Sequence, residues 1–334
     1  MCSRLYLITA LTFASAFSNA ASLDYPGDML SAGQNYVSTS VSASDWYHAA
    51  DFVEDASISA SEDSLRGFSD ASNNGYGFTT HLTYMVGLTD DINVGIRYGY
   101  VYDKEDAKID SNSASGIEGE LISEGGTDLS VLVKYKIFKG LSLDGEIELP
   151  ICSSRDVSDL CQSKHPVPQN ASQAGSSGGQ GNGFYRIKTG LSANWLTEMD
   201  THWLGRVYVS ATSADDVFGE KTSSPFVFGA SFGGTFYIKP NHNWMAHLTV
   251  ERKLEYVAYS DQVKTQVNYG KHSSLSFEAD YLWDWTSSIQ VKPFAVLSVI
   301  QRPTQKFAVD GQDRRLEYTA GTQATLGTEL SMSF

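Results

Sequence analysis

Charged side chains at every second position, set between apolar neighbours, are the residues of this chain best placed to do chemistry. Lys134 and Lys136 alternate with apolar residues in DLSVLVKYKIF, and Asp144, Glu146 and Glu148 do so in LSLDGEIELPI. Arg97 precedes them; Arg186, Lys188 and Arg206 follow, then Glu278, Asp280, Asp284 and Lys292. In an extended chain residues two apart share a face, so each set lines one side of a strand. Opposed charges on adjacent strands allow two arrangements. They line a water-filled passage and orient polar solutes, or they pair as cross-strand neighbours inside a filled interior. The change of sign from strand to strand favours the second.

Two other constellations are weaker. His272 and Ser274 in KHSSLSF also share a strand face, which brings a base and a hydroxyl within reach, but no third residue that would orient the histidine is identifiable. His242 and His247 are five apart and point to opposite faces, and no Cys/His spacing matches a zinc site. Neither an enzyme nor a metal or other cofactor is expected.

These charges need strands to hold them, and the chain supplies strands throughout. INVGIRYGYVY sets Ile92, Val94, Ile96, Tyr98, Tyr100 and Tyr102 against Asn93, Gly95, Arg97 and Gly99. From Leu316 to Phe334 the alternation runs unbroken, Leu330, Met332 and Phe334 on one parity and Glu329, Ser331 and Ser333 on the other. Such a strand exceeds the roughly 9–11 residues that cross a bilayer. Similar segments fall at 75–88, 184–195, 202–212, 225–238, 244–257, 274–285 and 289–301, with no comparable helical periodicity.

Connections alternate in length. Short ones lie near 88–91, 138–141, 196–201, 239–243 and 286–288; long polar ones lie near 104–126, 152–183, 213–224, 258–272 and 302–314. Short turns at one end and long loops at the other predict an all-β transmembrane antiparallel up-and-down β-barrel, with the turns periplasmic and the loops extracellular. For both chain ends to be periplasmic, one more outward strand must precede residue 75. QNYVSTSVSASDWY (34–47) is the only candidate, which brings the count to about twelve. Trp195, Trp203, Trp244 and Trp285 all fall beside short turns, where an interfacial aromatic girdle belongs.

Composition sets the location. Residues 1–20 read as a secretory signal peptide, with Arg4, an apolar stretch from Leu5 to Phe17, and Ser18 and Ala20 before the cleavage point. Residues 21–33 are a lead-in, either a short periplasmic segment or a plug entering the lumen, and residues 34–334 form the barrel. The formal charge of -15 excludes nucleic acid as a partner. Cys152 and Cys161 are the cysteines left after cleavage, an even pair that favours a disulfide in an exported chain. The acidic stretches 48–73 and 104–124 are either cation-bridging contacts to lipopolysaccharide phosphates or solvated surface.

The ending on Phe334, with Met332 and Leu330 at alternate preceding positions, resembles bacterial outer-membrane barrels. That resemblance implies an outer-membrane protein in contact with lipid and lipopolysaccharide, its last residues read by the barrel-assembly machinery. More narrowly, GGTDLSVLVKYKIFKGLSLDGEIELP and GLTDDINVGIRYGYVY resemble the meta-pathway phenol-degradation outer-membrane family of transporters. Asp128, Lys134, Tyr135 and Pro150 match its pattern, whereas the glycine that follows the proline there is replaced by Ile151 and Cys152. The resemblance implies passive uptake of small molecules, with aromatic or hydrophobic compounds as the cargo. A structural or adhesive barrel acting through its long acidic loops is the alternative. His272 and Ser274 also resemble the His/Ser pair of outer-membrane lipid hydrolases, but Leu275 and Ser276 stand where Asn and Gly continue that motif.

Overall fold

A computed structural model of the chain describes residues 28–53, 68–111, 117–151, 185–197, 201–213, 221–239, 241–260, 265–301, 304–309, 312–318 and 320–334. The signal peptide at 1–20, most of the lead-in, and Cys152 and Cys161 lie outside the described residues. Twelve antiparallel strands form a closed barrel. They are β1 (Asn35–Val53), β2 (Phe68–Thr89), β3 (Ile92–Ser111) and β4 (Ile117–Gly126, resumed at Leu129–Phe138). Next come β5 (Leu141–Leu149), β6 (Arg186–Leu196), β7 (His202–Thr212) and β8 (Lys221–Thr222, resumed at Phe226–Lys239). The last four, each interrupted once, are β9 (His242–Lys253 and Tyr256–Ser260), β10 (Thr265–Tyr269 and His272–Asp284), β11 (Ile289–Gln301 and Gln305–Val309) and β12 (Gln312–Tyr318 and Ala320–Ser333).

Each strand pairs with its sequence neighbours, and β1 also pairs with β12 from Tyr36↔Ser333 to Tyr47↔Thr322. Phe334 completes the closure, its N–H donating to the Asn35 carbonyl at 2.9 Å and its carbonyl accepting from Asn35 N at 2.7 Å. The patterned C-terminus is thus the seam of the barrel, and pairing there removes the two edges an open sheet would expose. The strand expected at 34–47 is β1. Its faces contrast weakly because its inner row, Ser38 to Ser44, is small and polar while its outer row mixes Val41 and Tyr47 with Thr39 and Asp45.

Parity divides the wall as the alternation requires. Leu326 is 65% exposed on the outside while Ser331, two positions after Glu329, is buried on the inside. Apolar side chains cover the exterior, and the buried set is dominated by polar residues such as Asn93, Ser142, Ser192 and Asp280. That inversion of a soluble protein suits a sheet whose outer face meets lipid.

The stretches expected to be long loops at 104–126, 258–272 and 302–314 are largely strand. β3 and β4 stay paired out to Ile109↔Ile117, and β11 and β12 to Val309↔Gln312. Likewise β1 runs on to Val53 and β2 starts at Phe68, inside the acidic stretch 48–73. Alternation fades there because a ladder extending past an apolar layer has no face that must be apolar, while the backbone hydrogen bonds persist.

Glycines let bulky inward side chains lie flat. Gly327 of β12 stands between Ser42 of β1 and Phe294 of β11, and a Cβ there would run into the Phe294 ring. Gly327→Leu is expected to lower stability by about 1–3 kcal/mol through overpacking. Urea unfolding followed by heat-modifiable gel migration reads the shift; an unchanged midpoint would mean that Phe294 swings aside freely.

Candidate functional site

The interior holds a cavity of about 580 Å³ bounded by inward side chains of β2 to β11. Its polar wall is built from cross-strand neighbours. Arg97 of β3 pairs with Glu146 of β5, which also accepts from Ser130 Oγ at 2.9 Å. Glu148 and Arg186 are register partners across β5 and β6 and form an ion pair. Asp144 lies 3.6 Å from Arg206 Nε and accepts from Ser142 Oγ at 3.0 Å and from Ser192 Oγ. Glu148 and Arg186 meet as direct register neighbours, whereas Arg97–Glu146 and Asp144–Arg206 each reach across an intervening strand.

On the far wall, His247 Nε2 lies 3.1 Å from Glu278 and its Nδ1 lies 3.9 Å from Asp280. Asp280 is fully buried, and neither carboxylate oxygen has a hydrogen-bond partner among the described residues. Lys292 and Glu329 are register partners 2.8 Å apart, and Tyr36 donates to Glu329 at 3.2 Å. Glu251 accepts from Tyr208 Oη and, at 3.4 Å, from Ser274 Oγ. Lys188 Nζ sits 4.0 Å above the Tyr208 ring.

At the short-turn end of the lumen the chain itself reaches inward. Residues 28–32, part of the lead-in, turn inward at Gly33, whose φ of 81° is a left-handed conformation suited to glycine. Leu30 is fully buried against Tyr36, Met85 and Leu132. With its amide oriented to match, Asn93 accepts from Leu30 N at 2.7 Å and donates to Leu30 O at 3.1 Å. Lys134 Nζ donates to the Asp28 carbonyl at 2.8 Å, Asn194 Nδ2 to Asp28 Oδ1 at 2.5 Å, and Ala32 N to Asp90 Oδ1 at 2.9 Å. Of the two alternatives for the lead-in, these residues take the plug position.

Of the charges expected to line the lumen, Arg97, Lys134, Asp144, Glu146, Lys188, Arg206, Glu278 and Lys292 border the cavity. Glu148, Arg186 and Asp280 stand on the same inner face beside it. Lys136 does not: its Nζ lies 3.3 Å from Asp91 at the short-turn rim. Asp284 is also at that rim, accepting from Gln290 Nε2 at 2.9 Å. Sequence reasoning missed Tyr208 and Glu251, weighed His247 only as a metal candidate, and placed Glu329 on the polar parity of the last strand; inward parity is the signal that marks all four.

Trp195, Trp203, Trp244 and Trp285 sit beside the short turns. Trp195 and Trp203 are register partners, and Phe232 stacks on Trp203 at 5.3 Å. Trp283 joins them, within 6.3 Å of Trp285 and stacked on His242. The His272 and Ser274 side chains are turned to different partners: Nδ1 of His272 to the Gly270 carbonyl at 3.4 Å, the Ser274 hydroxyl to Glu251.

No protein-family model and no curated protein sequence matches the chain. Among solved structures it is similar to an outer-membrane channel from Pseudomonas putida F1, at 12% identity over 94% of this chain and 99% of that one, with a TM-score of 0.50. The chain has the fold of an outer-membrane β-barrel. Likenesses of lower TM-score include a Pseudomonas aeruginosa FadL homologue (8% identity, 96% of this chain and 95% of that one, TM-score 0.42). Another is the TodX monoaromatic hydrocarbon channel (10% identity, 91% of each chain, TM-score 0.42). Identities this low carry over the fold and leave function to the residues inside the barrel.

Proposed function

We propose that the protein is an outer-membrane channel for passive uptake of small molecules, with its short turns periplasmic and residues 28–32 narrowing the periplasmic mouth. The observation that carries this reading is a polar, charged inner wall around a cavity of about 580 Å³, inside a barrel whose exterior is apolar. A barrel that served only as a surface scaffold could fill its interior with apolar side chains, since each buried ion costs several kcal/mol to desolvate. The resemblance to the meta-pathway phenol-degradation family supports small aromatic solutes as cargo.

Contact with outer-membrane lipid is supported by the outward tryptophans near the short turns, and recognition by the barrel-assembly machinery by the C-terminal Leu330, Met332 and Phe334. Planar-bilayer recording on the refolded full chain and on a form beginning at Gly33 tests the reading. Unitary currents from both, larger for the shortened form, are expected. Silence from both, with the barrel folded by gel migration, would overturn it.

A further inference from the structure

We infer that the cavity is a binding site for a small amphipathic organic anion, a carboxylate on an aromatic or short aliphatic body, with Lys188 anchoring the carboxylate. The inference rests on the channel reading only in that solute must reach the lumen.

The three acids that border the cavity already have cationic or imidazole partners: Glu146 with Arg97, Asp144 with Arg206, and Glu278 with His247. Two of the remaining lysines are also occupied, Lys134 by the Asp28 carbonyl and Lys292 by Glu329. Lys188 differs. Its register partner across β5 and β6 is Glu146, which bonds to Arg97 and Ser130; among the described residues no carboxylate lies within 4 Å of the Lys188 Nζ, which rests over the face of Tyr208 at 4.0 Å. Glu251, the acid bonded to that tyrosine, accepts from the hydroxyls of Tyr208 and Ser274 instead.

An ammonium carries three donors, and a ring face uses its charge without accepting them in full. A solute carboxylate would supply that acceptor in a charge-assisted bond.

Part of the cavity wall is apolar. Met85, Leu132, Leu204 and Met245 line it, and Met85 and Leu132 rest on Leu30 of the plug. Methionine side chains adapt to irregular apolar shapes and make favourable contacts with rings. The volume falls in the roughly 300–1,000 Å³ range of small-molecule sites. A purely polar ion would leave this apolar lining uncovered, and a hydrocarbon would leave Lys188 without its acceptor. One solute with both parts satisfies both.

The test is equilibrium titration calorimetry on the refolded full chain in detergent micelles, with sodium benzoate, benzyl alcohol and sodium acetate as probes. Benzoate should bind, Lys188→Met should weaken it about tenfold or more through loss of a charge-assisted bond, and Lys188→Arg should restore most of the affinity. Benzyl alcohol and acetate should bind more weakly, and benzyl alcohol should be indifferent to Lys188→Met. Absence of benzoate binding to a barrel folded by gel migration, equal binding by Lys188→Met, or equal affinity for acetate would each overturn the proposal. Binding is read without any current, so a silent bilayer leaves this site standing, while a conducting channel indifferent to benzoate removes the site and keeps the channel.

Discussion

Deleting residues 28–32 together with everything before them, or replacing Leu30 by Asp, is expected to raise unit conductance several-fold. The segment is held by many weak anchors. Full burial of Leu30 contributes about 1.5–3 kcal/mol. Its paired hydrogen bonds to Asn93, and those from Lys134, Asn194 and Ala32, add about 0.5–1.5 kcal/mol each. Leu30→Asp places a carboxylate against Tyr36, Met85 and Leu132, hydrophobic neighbours that cannot replace its hydration. The segment should then leave the mouth while the barrel, closed by its own ladders, stays intact. Gly87 gives the same segment a close seat, since a Cβ there would strike the Ser31 carbonyl. Unchanged conductance in both variants would place the constriction higher, in the belt of Arg97, Glu146 and Arg206.

Lys292→Met is expected to be the most destabilising single change in the wall, at about 3–5 kcal/mol, because it strands a buried carboxylate. Lys292 and Glu329 are only 23% and 20% exposed and join β11 to β12 beside the closing seam. Asp280 and Glu278 stand on the neighbouring strand, so removing the cation leaves three acids with His247 alone among them. Replacing both partners, Lys292→Met with Glu329→Leu, should recover much of the loss, since an apolar pair carries no desolvation cost. Lys136→Met makes the control: its ion pair with Asp91 is largely exposed, and such pairs contribute about 0–1 kcal/mol. Urea unfolding of the variants in one detergent decides the matter. Equal midpoints for Lys292→Met and Lys136→Met would show that the buried pair has no special structural weight.

The sequence by itself determined the barrel, the twelve strands, and which face each residue of a regular strand presents. Leu326 and Ser331, Val133 and Lys134, Ile147 and Glu146 fall on the sides their parity assigns, because a two-residue period is a local property of extended backbone. The closing strand was legible for the same reason, from Ala320 to Ser333.

Height along the barrel was not legible. Lys134 and Lys136 share a face, yet one reaches the plug and the other the rim, since height follows from how each ladder is staggered against the next. Partners were hidden likewise: Arg97 meets Glu146 from two strands away, and Glu329 meets Lys292 only once β12 lies in register on β11. The ladders of β3, β4, β11 and β12 beyond the apolar layer left no alternation to read. Leu30 stands in a segment without pattern, and only the walls that fold around it make it a plug. Parity comes from adjacent residues; register, stagger and enclosure come from the whole closed sheet.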